Sequence, residues 1–199
     1  VDLWAHGVLG RRTLFPGRHY SSAATDVRTV AHMFANTVLD DLTGTPGPFG
    51  TRIAYVVQEG KTKELALVEM DGADPVRLTQ IGSLSISPSW SRDARYLYYT
   101  SYMLGDPDLY LLDLTTWKQW IVSREGGINL GGKDSPDGEE LLIVMSVKGN
   151  SDVYRMRKAD RKTVRLTRNR AIDVAPAWSP DGDEIAFVSD RRGNPHIFV

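Results

Sequence analysis

Three short motifs each contain an aspartate in the same sequence context. This aspartate could belong to a chemical site or only to a turn. They are WSRDA at 90–94, DSPDG at 134–138 and WSPDG at 178–182. An exposed carboxylate could bind a cation, but Pro, Asp and a left-handed Gly in this order are also what a tight turn between antiparallel strands requires. We therefore interpret Asp93, Asp137 and Asp181 as turn residues. Ala94 replaces the Gly in the first copy, which costs about 1 kcal/mol if its φ is positive.

The second motif begins with an unusual residue, because Asp134 stands where the other copies have Trp90 and Trp178. A carboxylate at such a position needs hydrogen-bond donors, water or a cation, since burying it unpaired is costly. Accommodation by protein donors is the favoured interpretation. An ion or ligand role for Asp134 is the alternative.

Sequence signatures of catalysis and of metal binding are missing. The chain has no Gly-x-Ser-x-Gly nucleophile elbow, no His-Glu-x-x-His motif, no phosphate-binding Gly-x-x-x-x-Gly-Lys loop and no EF-hand loop. It has no Cys, and its four histidines are scattered: His6, His19, His32 and His196. We predict no catalytic residue, no cofactor and no metal site.

Charge and composition limit the classes of partner. The 199 residues include 24 Lys and Arg and 25 Asp and Glu, well mixed, for a net charge of −1. This balance gives no electrostatic footprint for nucleic acid or for an anionic membrane. No apolar run approaches the roughly 20 residues of a transmembrane helix. We expect a chain that binds no nucleic acid and does not span a membrane.

The turn motifs belong to a repeat. They begin at residues 90, 134 and 178, in steps of 44. Other positions keep the same step: Ile53, Leu97, Leu141 and Ile185; Tyr55, Tyr99, Ile143 and Phe187; Leu65, Leu109, Val153 and Ile197; Leu78, Val122 and Leu166. A register held without insertions indicates structural repeats.

Each repeat has the pattern of four strands. After each turn come aromatic and β-branched runs, RYLYYTS, ELLIVMS and EIAFVSD, followed by two further strand-like segments, and a short strand precedes the turn. The predicted fold is mainly β, a partial β-propeller of four-stranded antiparallel blades. Residues 53–199 hold about 3.3 repeats, whereas propellers close with roughly 4 to 8 blades. We expect a fragment of a longer protein, or a ring completed by another copy through self-association of its open edges.

Residues before the repeat have a different pattern. Apolar residues at helical spacing predict a helix at about 26–42, with Thr25 as N-cap and Gly44 as C′ residue. Two strand-like segments before it suggest a hairpin with its turn near Gly10. We assign residues 1–44 to the C-terminal part of an α/β domain, the Gly- and Pro-rich residues 45–52 to a linker and 53–199 to the propeller.

The loops that enter the first strand of each blade are the predicted binding rim. LSISPSW, INLGGKD and IDVAPAW occupy equivalent places in the repeat, and in a propeller such segments gather around one mouth of the central channel. Loops on a rigid sheet framework commonly carry function. The outer aromatics Trp117 and Trp120 are instead expected to pack in the core.

Several segments together resemble the TolB family, the periplasmic propellers of the bacterial Tol-Pal system. They are LTGTPGPFGTRIAYV at 42–56, SPSWSRDARYLYYTS, GGINLGGKDSPDG and DVAPAWSPDGDEIAFVSDRRGNPHIFV. The linker junction is the specific part, because propellers of oligopeptidases share the WSPDG repeats. The helix before the linker is similar to the last helix of the family's α/β domain.

The resemblance implies a non-enzymatic periplasmic scaffold with six blades that binds the peptidoglycan-associated lipoprotein Pal at the propeller mouth. Such a scaffold would support cell-envelope integrity, cell division and protein transport. The family contacts TolA through an extreme N-terminal segment that this sequence does not show, so a TolA contact is not expected of it. The implied Pal-binding positions are Ser85, Ile86, Ser87, Asn129, Leu130, Gly131, Asp173 and Val174.

Two other functions remain open at the level of sequence. One is the propeller gate of a serine oligopeptidase whose hydrolase domain lies elsewhere. The other is a propeller that binds a divalent cation or a sugar through Asp134, Asp173 and channel oxygens. The middle rim loop also departs from the family pattern, with Gly132 in place of Pro and Asp134 in place of Trp.

Overall fold

The structure is a computed structural model of the chain. It describes the backbone of residues 2–7 and 12–19, and residues 27–147 and 149–199 in full. The chain divides into two compact units, one formed by Val1–Ile53 with Val68–Pro75 and the other by Ala54–Leu67 with Val76–Val199. The division at residues 44 and 52 drawn from the sequence stays a prediction.

The first unit contains a hairpin and a helix. Strand β1 (Asp2–Gly7) pairs antiparallel with β2 (Arg12–His19), so the expected hairpin is present, while Gly10 lies outside the described residues. Helix α1 spans Val27–Thr43, and the proposed N-cap Thr25 also lies outside them.

Gly44 ends helix α1 in the predicted way. Its φ is +70°, and its N–H donates to the carbonyl of Asp40 at 2.8 Å. This bond satisfies one of the carbonyls that a helix end leaves without a partner, and the left-handed backbone favours glycine.

From residue 52 onward the described residues form four sheets, one per repeat. Blade 1 contains β3 (Arg52–Glu59), β4 (Thr62–Glu69) and β5 (Val76–Arg77). Blade 2 contains β6 (Ser85–Trp90), β7 (Tyr96–Ser101), β8 (Asp108–Asp113) and β9 (Gln119–Ser123). Blade 3 contains β10 (Asn129–Asp134), β11 (Glu140–Met145), β12 (Asp152–Arg157) and β13 (Thr163–Arg165). Blade 4 contains β14 (Asp173–Trp178), β15 (Ile185–Ser189) and β16 (His196–Phe198).

Blades 2 and 3 are four-stranded antiparallel sheets, in the order of the chain. The predicted fold class is therefore confirmed. In blades 2, 3 and 4, a polar turn joins the first two strands. We call the first strand of each of these blades the inner strand.

The core lies between blades, because successive side chains of a strand face opposite neighbours. On β7, Leu97 and Tyr99 pack in a buried cluster with Leu65 of blade 1. Tyr98 between them packs instead with Leu141 of blade 3. A strand buried on both faces needs a continuous apolar run, which is why RYLYYTS and ELLIVMS show little polar alternation.

The three turn motifs share one hydrogen-bond network. In the second copy, the Oγ of Ser135 donates to Oδ1 of Asp137 at 2.5 Å, and the N–H of Glu139 donates to the same oxygen at 3.0 Å. The N–H of Gly138 donates to the carbonyl of Ser135 at 2.9 Å. The same bonds recur around Asp93 and in the third copy.

This network confirms the turn interpretation of the three aspartates. The serine hydroxyl is the main cause that lowers the pKa of Asp93, Asp137 and Asp181 below the usual aspartate value. Ala94 has the left-handed backbone expected of it, with φ of +55°. In the described part of the chain, no helix is both long enough and apolar enough to cross a membrane.

Candidate functional site

The inner strands β6, β10 and β14 each contain a β-bulge at the same place in the repeat. The pairing register shifts after Ile86, Gly131 and Val174. The bulge residue is left-handed each time, with φ of +56° at Ser87, +96° at Gly131 and +51° at Ala175. For the two non-glycine residues this costs about 1 kcal/mol or more. A bulge redirects the side chains that follow it, so these strands present a fixed, repeated shape.

The three bulges surround one groove, which we call the mouth groove. Its cavity volume is about 320 Å³. The residues that line it are mostly apolar: Ser87, Pro88, Ser89, Leu130, Gly131, Lys133, Val144, Val174, Ala175 and Pro176. A concave apolar surface with few polar groups is typical of a binding site.

The structure brings part of the predicted rim together. Four of the eight predicted positions line the mouth groove: Ser87, Leu130, Gly131 and Val174. Ile86 precedes its bulge and is half-buried. The other three, Ser85, Asn129 and Asp173, are 0% exposed, so their side chains lie beneath the surface. That these eight residues contact a partner stays a prediction.

Two of the buried rim positions hold neighbouring loops in place. The side-chain oxygen of Asn129 accepts from Ser123 Oγ at 2.6 Å, and its Nδ2 donates to the carbonyl of Glu125 at 2.7 Å. Both carboxylate oxygens of Asp173 accept from the guanidinium of Arg191 at 3.1 Å. Their geometry supports a positioning role for the loops at this end of the blades.

The middle inner strand differs because Tyr98 approaches it closely. Gly132 has φ of +103°, and a Cβ at this position would lie 2.6 Å from the Cβ of Tyr98. No side chain fits there, which explains why Gly132 replaces the proline found at Pro88 and Pro176. In the next blade, the position equivalent to Tyr98 is occupied by Leu142.

Asp134 is accommodated by protein donors, as favoured from the sequence. It accepts from Oη of Tyr98 at 2.8 Å, from Nζ of Lys158 at 3.1 Å and from the N–H of Arg92 at 3.1 Å. Its side chain is 5% exposed. Burial, and then the charge of Asp134, raise the pKa of Tyr98 well above its usual value, so the phenol remains a hydrogen-bond donor at neutral pH.

One other group in the described residues has the composition of a metal site. Ligand atoms of His32, Glu69 and Asp71 lie within 4.8 Å of one another. The guanidinium of Arg28 pairs with both carboxylates, and Nε2 of His32 is 3.0 Å from Asp71. Because the guanidinium of Arg28 is paired with both carboxylates, we describe these residues as an ion-pair cluster.

Comparison with known proteins identifies the family. A family model described as the TolB beta propeller domain matches residues 39–199, more than half of the chain. The chain belongs to the TolB beta-propeller family. The Tol-Pal system protein TolB of Desulfosudis oleivorans is 41% identical over 114 residues, which cover 57% of this chain and 26% of that relative.

A solved TolB structure has the same architecture. The crystal structure of TolB from Acinetobacter baumannii matches with a TM-score of 0.89 and 31% identity, over 96% of this chain and 49% of that one. The chain thus spans about half of that TolB. The tricorn protease also matches, with a TM-score of 0.52 and 15% identity over 71% of this chain and 14% of that one. At this identity the likeness shows a shared fold alone.

Beyond the predicted rim, sequence reasoning missed several residues of the mouth groove. Three of them lie next to predicted positions and could be predicted from the 44-residue register: Pro88, Ala175 and Pro176. Lys133 lies within the predicted rim loop INLGGKD but was not among the predicted contact positions. Val144 lies outside the three loops, because its place in the groove depends on the neighbouring strand β11.

Proposed function

We propose that the chain is part of a non-catalytic periplasmic scaffold that binds a Pal-like outer-membrane lipoprotein at the mouth groove. Such binding would support cell-envelope integrity and division. The observation that carries the proposal is the mouth groove itself, formed by three bulges at equivalent positions of three blades. Its occurrence in a TolB-family propeller supports the assignment to a Tol-Pal component.

The physical argument is preorganisation. The groove is built from strands rather than from mobile loops, and its left-handed residues fix the backbone before a partner arrives. Binding to such a surface requires little ordering of the receptor, so apolar contact contributes more fully to affinity. The walls offer apolar side chains from three blades, among them Pro88, Leu130 and Val174.

No observation at these residues favours the oligopeptidase gate or the propeller that binds an ion or a sugar. The oligopeptidase gate shares only the propeller fold. The ion or sugar site needs free carboxylates at Asp134 and Asp173, and both are already bound by protein donors. We therefore propose no second function.

The test is calorimetric titration of the chain with a Pal-like periplasmic domain, using Val174→Asp and a matched control. Val174 lines the mouth groove, whereas Val164 lies on the outer strand β13 and is 50% exposed. An aspartate in the groove should weaken binding at least about tenfold, because it replaces an apolar contact with a charged group that the bound partner would have to desolvate. Val164→Asp should leave binding unchanged.

Either of two results would contradict the proposal. One is the absence of binding by the native chain, and the other is equal affinity of the two variants for the Pal-like domain. Urea unfolding of both variants shows whether Val174→Asp is folded. Should it unfold, Ser87→Trp, which fills the groove from an exposed bulge position, replaces it with the same expected loss.

A further inference from the structure

The mouth groove contains one charged residue. Of the residues that line it, only Lys133 carries a charge, and the others are apolar, Ser or Gly. Lys133 also lines a second cleft of about 720 Å³ toward the turn end of the same inner strands, beside Arg92 and Trp178. The lysine therefore lines both clefts.

Lys133 is specific to the middle blade. The equivalent positions of the neighbouring inner strands are Ser89 and Ala177. Its backbone is held in strand β10, where Lys133 pairs with Leu142, and its carbonyl accepts from Nε1 of Trp178 at 3.1 Å. The side chain thus begins from a hydrogen-bonded strand.

The ammonium group of Lys133 has no carboxylate to balance it among the described residues. Its sequence neighbour Asp134 is already bound to Lys158 and to the hydroxyl of Tyr98. Lys133 is itself exposed, so water solvates its ammonium in the free protein. Beside apolar walls, however, the effective dielectric constant is lower than in water, and an incoming carboxylate interacts more strongly.

We infer that Lys133 receives a carboxylate of the bound partner. The occupant is a segment of a protein in which an apolar side chain fills the mouth groove and a neighbouring Asp or Glu reaches Nζ of Lys133. This inference rests on the proposed function and adds a specificity determinant to it. Lys133 acts as a binding residue that selects an acidic segment over a neutral one of the same shape.

The first experiment measures affinity for the Pal-like domain at several salt concentrations. Lys133→Gln should weaken binding about tenfold and flatten its salt dependence, since a charge pair near a surface is screened by salt. Lys133→Arg should retain both. The matched control is Lys118→Gln, an exposed lysine ahead of the outer strand β9 that does not line the groove.

The second experiment does not depend on Pal. Two short peptides, acetyl-Leu-Glu-amide and acetyl-Leu-Gln-amide, are titrated into the chain while the backbone amide signals of Leu130 and Gly131 are followed by NMR. The acidic peptide should shift these signals in the native chain and in Lys118→Gln. It should not shift them in Lys133→Gln, and the neutral peptide should have little effect on any of the three.

The outcomes separate the two proposals. If the Pal-like domain binds and Lys133→Gln changes its affinity less than about twofold, the inference is wrong and the proposed function stands. If Pal does not bind but the acidic peptide binds through Lys133, the inference stands and the proposed partner is wrong. If neither probe binds the native chain, both are wrong.

Discussion

Blade 3 meets its two neighbours by different chemistry. On the side of blade 2, the carboxylate of Asp134 is held by Tyr98, Lys158 and the backbone of Arg92. On the side of blade 4, the indole of Trp178 donates one hydrogen bond to the carbonyl of Lys133. Equivalent positions of the repeat thus form a charged junction and an aromatic junction.

The difference shows that a substitution at one position of a repeat can require compensating substitutions at the positions that it contacts. The other repeats have Ala54, Leu142 and Ala186 at the position of Tyr98. The buried hydroxyl of Tyr98 requires an acceptor, which Asp134 supplies. Its ring requires space beside the inner strand, which Gly132 supplies by lacking a side chain. Each of these three residues would be unfavourable without the other two, so the departure of the middle loop from the family pattern has one structural cause.

Of the substitutions at the two junctions, Gly132→Ala should lower the free energy of unfolding most. The new Cβ would collide with Tyr98, and the residue would keep an unfavourable φ of +103°. We expect the free energy of unfolding to fall by about 3 kcal/mol, measured by urea denaturation. The matched control is Gly105→Ala, where φ is also +103° and nothing lies within 4 Å of the added Cβ; a loss equal in both variants would contradict the role of Tyr98.

A smaller effect should separate the two junctions directly. Asp134→Ala removes the acceptor of three donors and leaves the Tyr98 hydroxyl buried without a partner, so we expect a loss of about 2 kcal/mol. Trp178→Phe removes a single hydrogen bond, and we expect a loss of about 1 kcal/mol. Both are measured by denaturation under identical conditions.

The coupling at the charged junction has its own control. Adding Tyr98→Phe to Asp134→Ala should cost less than the sum of the two single changes, because no hydroxyl then remains unpaired. Strict additivity would mean that the two residues act separately.

The smallest effect should be on the stability in acid of the two turns that follow the junctions, those of Asp137 and Asp181. We expect the two turns to respond alike. The pKa values of Asp137 and Asp181 are lowered, mainly by their serine partners. Groups of this kind stabilise the fold above their unfolded pKa of about 3.9 and lose that contribution as the pH falls through the folded value. Asp137→Asn and Asp181→Asn should each reduce the loss of stability below about pH 4 by similar amounts. An effect of only one variant would show that the turns differ.

Much of the fold could be read from the 44-residue register. The strands β7, β11 and β15 lie within a residue of the predicted runs, because a strand buried on both faces leaves a strong apolar signal. The core packing expected of Trp117 and Trp120 is wrong, since they are 52% and 45% exposed. They lie in and before β9, the last strand of its sheet, where a hydrophobic run does not imply burial.

The candidate site could be predicted only in part from the sequence. The sequence located the three loops, but alternation along a strand cannot reveal a bulge, and the bulge decides which side chains point into the groove. Ser87 and Ala175, at the bulges, line the groove, while Ser85 and Asp173, which precede the bulges, are buried.

By itself the sequence determined the repeat, the strand order within each blade and the turn role of the three aspartates, because these depend on local spacing and on turn chemistry. Only the tertiary structure decided the fate of Asp134 and Lys133. They are adjacent in sequence, but the carboxylate of Asp134 accepts from three donors, whereas Lys133 lines an apolar groove. Partners that lie 24 to 42 residues away are set by the packing of whole blades, which a local pattern does not contain.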